Sequence, residues 1–346
     1  MTPMFVPERL RLARQRRGLT LTKLSEISGI STRTLSSYEN DEYHPPQESL
    51  DALAGHLSVL PEFFQRESID VLPPETVSFR KLSKTTAAKR DAALAAATIT
   101  LEFADWIHSK FVLPNPTVPT LDKLDPETAA DVIRTRWGLG VKPISNMVHL
   151  LEAHGVRVFN IAAECREIDA FSFYRDEVPY IFLSTDKTGE RQRFDAAHEL
   201  GHLVLHSDGG QDRPQGRAKE AEANRFAAAL LMPADGVLSQ SMRNATLDRI
   251  LAARSYWRVS AMAMTHRLRE LELLTEWMYR STCVTLSEMG YRKAEPGGIV
   301  PETSQVLRKV LFNTEVKSAT RQASDYLQVP PSEIRSHIAG LVPTAA

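Results

Sequence analysis

The sequence predicts a multidomain chain: an all-α N-terminal domain over residues 1–68, an α+β domain over 75–240, and a mostly α region over 241–346. Three observations predict it. Residues 8–64 break into short helical stretches separated by turn residues. Residues 156–183 hold three strand-like runs set between helical stretches. From Thr246 onward the pattern is helical, apart from a break at Pro296-Gly297-Gly298. A length of 346 residues exceeds one ordinary domain, and 42% hydrophobic with 25% charged residues is the balance of a folded globular chain. A net charge of -1 gives no global electrostatic case for nucleic acid or membrane, so any such case must be local.

In the first region, residues 9–17 form a basic helix with Leu10 and Ala13 on one face, ended by Gly18. Residues 21–28 form a second helix with Leu24 and Ile27 inward, turned by Gly29. Ser31 caps a third helix through Glu39, and Leu50, Leu53, Ala54 and Leu57 mark a fourth after Pro45-Pro46. A polar connector places the main boundary between residues 64 and 84. An alanine-rich stretch then reads as one long helix over about 84–111 and is grouped with the central domain. Asp125-Pro126 starts a helix through Trp137, and residues 144–154 form another. Residues 156–161 alternate like a strand. Residues 170–174 and 178–183 form a hairpin around Arg175-Asp176-Glu177, and residues 191–206 and 218–231 are helices. The C-terminal region offers two helix–turn–helix stretches, near Tyr256 and near Thr320. Either suits a winged-helix or partner-binding element, or plain helical packing.

The two cysteines, Cys165 and Cys283, are far apart and have no metal or disulfide spacing, which favours a reducing compartment. No signal-type segment opens the chain and no run reaches the roughly 18 apolar residues of a spanning helix, so the expected location is cytoplasmic, without membrane association.

The chemistry concentrates in Ala197-His198-Glu199-Leu200-Gly201-His202. Two histidines at i and i+4 share one helical face, so both imidazoles can reach one Zn²⁺, while Glu199 is placed to take a proton from an attacking water. A chance run of this pattern has a probability of roughly 0.02 in a chain this long. The apolar flanks Phe194, Ala197, Leu200, Leu203 and Val204 argue further against two solvated histidines. A catalytic site needs a third ligand. Glu220 and Glu222 lie on the next helix, two residues apart, so they point in different directions. Glu220 is favoured because Asn224 follows it at i+4, where it would orient a ligand histidine; Glu222 is the alternative. His206 reads as a capping or solvated histidine, with a transition-state donor as the lesser reading.

In the first region, seven arginines and lysines (Arg9, Arg11, Arg14, Arg16, Arg17, Lys23, Arg33) face one acid, Glu26, between residues 9 and 33. That excess can serve phosphates of double-stranded DNA. With Ile30, Leu35 and Tyr38 packed inward, Thr32, Arg33, Ser37 and Asn40 are the DNA-facing candidates, and Arg33 is suited to guanine O6/N7. A helical bundle with a basic solvated face is the plainer alternative.

These residues resemble a known combination. Arg17-Gly18-Leu19-Thr20, residues 24–31 and Leu35-Ser36-Ser37-Tyr38-Glu39-Asn40 resemble a helix-turn-helix domain of the Xre/Cro type. The resemblance implies pairing of Glu39 with Arg14. Leu21 and Asp41 depart from the glutamine and glycine usual there. Residues 193–206 and 220–233 are similar to the zincin-like ImmA/IrrE metallopeptidases. Phe79-Arg80, residues 137–140 and residues 169–172 are similar to stretches of the fused Xre–ImmA/IrrE proteins. The resemblance implies His198 and His202 as zinc ligands, Glu199 as catalytic acid/base and Glu220 as third ligand. It also implies a zinc endopeptidase that cleaves or releases a DNA-binding repressor under stress, or beside toxin–antitoxin or mobile-element genes, with homodimerisation open. The alternative is a transcription regulator or antitoxin whose peptidase fold binds a metal or a partner without turnover.

Overall fold

The computed structural model describes residues 4–69, 71–73, 86–162, 169–206, 216–312 and 318–343. Phe79, Arg80, Lys84 and Cys165 lie outside them. Four short helices open the chain: α1 (Pro7–Arg16), α2 (Leu21–Ser28), α3 (Thr32–Glu39) and α4 (Gln47–Leu57), followed by a 3-10 turn at Pro61–Gln65. Local chemistry sets their ends. The Thr20 hydroxyl accepts from the amide of Lys23 and the Ser31 hydroxyl from that of Thr34, capping α2 and α3. Gly29 closes α2 at φ 72, a left-handed conformation that glycine adopts without a Cβ penalty. Leu10, Ala13, Leu24, Leu35, Leu53, Leu57, Phe63 and Phe64 form the buried interior. Ile27, expected inward, is 39% exposed. Leu24 is the one buried position of α2, and Ile27 lies about 60° round the helix from it.

Helix α5 (Ala87–Lys110) is buried at every position from Ala92 to Ala104. A helix enclosed on all sides shows no amphipathic stripe, which is why its alanine-rich sequence reads only as helical. The chain continues through α6 (Pro126–Arg136), α7 (Met147–Ala153), β1 (Arg157–Asn160), β2 (Ala170–Arg175), β3 (Val178–Leu183), α8 (Gly189–Leu205) and α9 (Arg217–Leu231). It ends with α10 (Ala234–Leu238), α11 (Leu247–Trp257), α12 (Ala261–Glu270), α13 (Glu276–Glu288), α14 (Gln305–Leu311), α15 (Ala319–Leu327) and α16 (Pro331–Ile338). The protein is thus multidomain, with a helical N-terminus, a small sheet among helices in the middle and a helical C-terminal region. Among the described residues no helix is long and apolar enough to cross a membrane.

Two units divide the chain: Met1–Leu113, Phe159–Asp169 and Gln305–Ala346 in the first, Pro114–Val158 and Ala170–Ser304 in the second. In the first, α1, α15 and α16 pack on α5. The long helix that the sequence reading groups with the central domain therefore packs with the N-terminal helix α1, and α15 and α16 pack on it too. Buried ion pairs join them: Glu102 of α5 accepts from both terminal nitrogens of Arg9, and Glu333 of α16 accepts from Arg16 of α1 and from Arg17, which caps it.

The strand order is β1-β3-β2, with the β2–β3 hairpin within the second unit. The β2–β3 hairpin pairs Ser172 with Ile181 and Arg175 with Val178, and Asp176 and Glu177 turn it with φ of 50 and 64. Consecutive positive φ values at both central positions match the twist of a two-residue hairpin. Phe171 and Phe173 lie on one face of β2, with Phe171 stacked on Phe182 and Phe173 on Tyr180. Strand alternation turns Ser172 and Tyr174 to the other face, against α8.

Helix α8 packs on β2, β3 and α9. Gly201 permits the close approach of α9: a Cβ there would lie 3.0 Å from Phe226 Cδ1 and 3.3 Å from the Ala223 Cα. Gly201→Ala should therefore cost about 1–3 kcal/mol through overpacking, read as a fall in the urea midpoint. An unchanged or higher midpoint would show that Phe226 yields freely.

Candidate metal centre and DNA-facing helix

His198 and His202 sit one turn apart on α8, buried, with their Nε2 atoms 3.1 Å from each other. Glu220, in the first turn of α9, completes a triangle. Its Oε2 lies 3.3 Å from His198 Nε2, and its Oε1 lies 3.3 Å from His202 Nε2. Glu220 stands one turn before Ala223, which with Phe226, Ala227 and Leu230 forms the buried stripe of α9, so the stripe that packs on α8 also delivers the carboxylate. Among the described residues this is the one group of three or more His, Cys, Asp or Glu side chains close enough to hold a metal ion.

The donor set fits a tetrahedral ion. Ligand bonds of roughly 2.0–2.1 Å put donor atoms about 3.3–3.4 Å apart, and the three edges here are 3.1, 3.3 and 3.3 Å. Asn224, one turn beyond Glu220, places its Oδ1 3.1 Å from His198 Nδ1. An amide oxygen can only accept, so the Nδ1 proton of His198 donates to it and the Nε2 lone pair faces the triangle. Burial pushes the pKa of His202 down to about 4, which keeps that imidazole neutral and able to ligate. Burial also works against the charge of Glu220, but the imidazoles of His198 and His202 facing it hold its carboxyl far below the usual carboxylate range.

Glu199 is fully buried beside this triangle. Burial raises its pKa to about 7 against the opposing effects of His198 and of a hydrogen bond from Ser172. The Ser172 hydroxyl donates to Glu199 Oε2 at 2.7 Å. In the sequence Ser172 stands only within a stretch of resemblance, residues 169–172, with no sign of this role. The strand alternation that turns it toward α8 was visible, but the packing of β2 on α8 was not.

Glu222 is turned elsewhere. Its Oε2 lies 2.9 Å from His206 Nε2, and His206 Nδ1 lies 3.1 Å from His202 Nδ1. The His206 side chain is only 3% exposed, so of the two readings, capping or solvated, the structure gives the first: His206 is the C-cap residue of α8, its amide donating to the His202 carbonyl. The physical reason is the packing of α9 on α8, which brings Glu222 onto His206 at the end of α8.

On α3, Thr32, Arg33 and Asn40 are exposed, and Arg33 has no ion-pair partner among the described residues. Ser37 is half-buried and donates to Glu42 Oε2 at 2.7 Å. Glu39 is buried and takes a bidentate pair from Arg14, at 2.6 and 2.7 Å, as the resemblance implies. The basic excess is largely consumed inside the first unit. Arg9 and Arg16 are buried in pairs with Glu102 and Glu333, Arg14 pairs with Glu39, and Arg17 bonds the carbonyls of Leu57 and Ser58. Arg11, Lys23 and Arg33 remain exposed, although Arg11 also reaches Glu39 and Lys23 pairs with Glu26.

Residues 10–64 match the family model of helix-turn-helix domains, and residues 151–269 match that of the IrrE N-terminal-like domain of the M78 peptidases. The chain thus joins a stretch similar to helix-turn-helix domains to one similar to IrrE-like domains. No curated protein matches it. The first match supports DNA binding. The second gives the unit that carries the His-His-Glu triangle a metallopeptidase fold, so this fusion is a DNA-binding regulator with a peptidase-like domain.

Three exposed cations set an expectation for the fusion's DNA affinity. Each neutralised phosphate contributes about -0.9 to the slope of log K against log salt, so the slope should be about -3 per bound chain. A slope of about -6, as if all seven basic residues met phosphates, would contradict the ion pairs described here. Arg33→Ala should cost about 1–3 kcal/mol and relax base preference at one position, read by gel shift on the chain's own promoter region.

Proposed function

We propose that the protein is a cytoplasmic zinc endopeptidase and transcription regulator. It binds double-stranded DNA through residues 9–64, with Thr32, Arg33, Ser37 and Asn40 toward the groove, and cleaves a DNA-binding repressor in a stress, toxin–antitoxin or mobile-element circuit. The observation that carries the reading is the triangle of His198, His202 and Glu220 at tetrahedral edge lengths beside a buried carboxyl at Glu199. Zinc bound there would polarise the scissile carbonyl and acidify the attacking water. Glu199 takes the proton from that water and returns it to the departing amine nitrogen. Its raised pKa suits both transfers near neutral pH. Ser172 orients Glu199 by donating to Oε2, which leaves the other carboxyl oxygen for the proton. Attachment to DNA raises the concentration of the peptidase around DNA-bound repressors.

The burial of His198 and Glu199 supports a second reading, a regulator or antitoxin whose site binds metal or a partner without turnover. Replacement of Glu199 by glutamine in cells separates the two. If hydrolysis drives the response, repressor level and target transcription no longer change on induction, although the variant keeps its zinc. A response equal to wild type would sink the endopeptidase reading and leave the second one standing.

A further inference from the structure

The metal-centre reading uses His198, His202, Glu220 and Asn224 and leaves His206 and Glu222 without a task. We propose that His206 and Glu222 are positioning residues for the metal centre. In this assignment Glu222–His206–His202 forms a hydrogen-bonded chain that fixes the ring of His202 with its Nε2 lone pair toward the ion. The inference rests on the proposed zinc site and extends it to the protein's own supports for one ligand.

The assignment follows from donor and acceptor counting along the chain. The Glu222 carboxylate can only accept, so His206 Nε2, at 2.9 Å, carries a proton and donates. A neutral imidazole has one N–H, so His206 Nδ1 is an acceptor. His202 Nδ1 lies 3.1 Å from it and must be the donor. That leaves His202 Nε2 without a proton, on the side where Glu220 Oε1 and His198 Nε2 stand at 3.3 and 3.1 Å. The opposite arrangement, with His206 donating from Nδ1, would put a proton on His202 Nε2 and close it to a metal. Position along the helices makes the chain possible. His198 and His202 are spaced at i and i+4 on one face of α8, and His206, four residues after His202, is the residue that caps its C-terminus. Glu220 and Glu222, two residues apart on α9, divide the work, one facing the triangle and the other facing His206.

The two ligand histidines are therefore supported unequally. His198 leans on the neutral amide of Asn224. His202 leans on an imidazole that is itself backed by a carboxylate, an arrangement that makes the ligand a better donor to the metal.

The test is zinc affinity of the full chain, measured by competition with a chromophoric chelator, for wild type, Glu222→Leu, His206→Leu, the double variant and Glu222→Gln. The two leucine variants should each weaken zinc by roughly 10–100-fold. The double variant should be no weaker than His206→Leu, because both lesions cut one chain. Glu222→Gln, whose amide oxygen still accepts from His206 Nε2, should recover much of the affinity. The visible d–d bands of the cobalt-loaded protein should shift in His206→Leu and stay near wild type in Glu222→Gln. Circular dichroism of the metal-free variants serves as the folding control. Glu222 is one-third exposed, so its variants keep the test alive if His206→Leu misfolds. Wild-type affinity in folded Glu222→Leu would overturn the proposal. So would equal losses in Glu222→Leu and Glu222→Gln, the signature of a charge effect without a hydrogen bond. Failure of wild type itself to hold zinc would instead overturn the metal-centre reading on which this rests.

Discussion

Glu199→Gln should keep its zinc and lose peptide hydrolysis by roughly 10²–10⁴-fold, the share that a positioned acid/base contributes. The substitution conserves shape and the hydrogen bond, since the Ser172 hydroxyl can donate to the amide oxygen as it does to Oε2 of the carboxylate. It removes only the ability to take a proton. The pH profile carries a sign as well. Glu199 works as a base when ionised, so wild-type hydrolysis should rise with pH along an acid limb. Without metal, burial offset by His198 and Ser172 puts that limb at about 7, and the charge of bound zinc moves it lower. In the metal-free protein the same burial works against stability. A carboxyl whose folded pKa lies above its ordinary value loses stability as pH rises from about 4.5 to about 7. Metal-free Glu199→Gln should then be more stable than wild type above pH 7, by on the order of 3 kcal/mol. Atomic absorption, a fluorogenic peptide and urea denaturation measure the three quantities. Hydrolysis by the zinc-loaded variant at the wild-type rate would remove Glu199 from the chemistry.

What could be read in the sequence here was what depends on local periodicity. The i, i+4 spacing puts His198 and His202 on one face of any helix, wherever that helix packs. The caps at Ser31 and Asp125 fix helix starts from neighbours within three residues. The choice between Glu220 and Glu222 was harder, because two residues along a helix means opposite directions, and the partner helix decides which direction is useful. Asn224 pointed to Glu220 by spacing alone. The supports of the site were out of reach: Ser172 is 27 residues from Glu199 and reaches it through strand–helix packing. The first unit shows the same limit more sharply. Seven basic residues within 25 positions look like a phosphate-binding surface when their partners are out of sight. The acids that neutralise Arg9 and Arg16 lie 93 and 317 residues away, in α5 and α16.

Those distant acids lead to the second large effect. Glu102 is buried and accepts from Arg9 at 2.6 and 2.7 Å and from Arg66 at 2.9 Å. Burial acts to raise its pKa, but the hydrogen bonds and charges of the two arginines prevail and hold it below the ordinary value. Removing one partner of a buried pair leaves an uncompensated charge and costs about 3–5 kcal/mol. Glu102→Leu strands Arg9, which is 2% exposed, so a loss of that size is expected at pH 7, as a lowered urea midpoint for the transition that includes α1 and α5. The pH dependence follows from the sign of the shift. A carboxyl with a depressed folded pKa stabilises above its unfolded value of about 4.5, and the contribution disappears as pH falls through the lower folded value. Wild type and Glu102→Leu should therefore converge in acid, and a gap that stays constant from pH 7 down to strongly acidic solution would assign the loss to packing instead. The same reasoning applies to Glu333, whose pKa burial pushes up but His337, Arg16 and Arg17 pull down overall. The helix-turn-helix domain thus draws its electrostatic balance from α5 and α16. A fragment ending at residue 68 keeps Arg9 and Arg16 but loses both acids, so its helices should be less stable than the same helices within the whole chain.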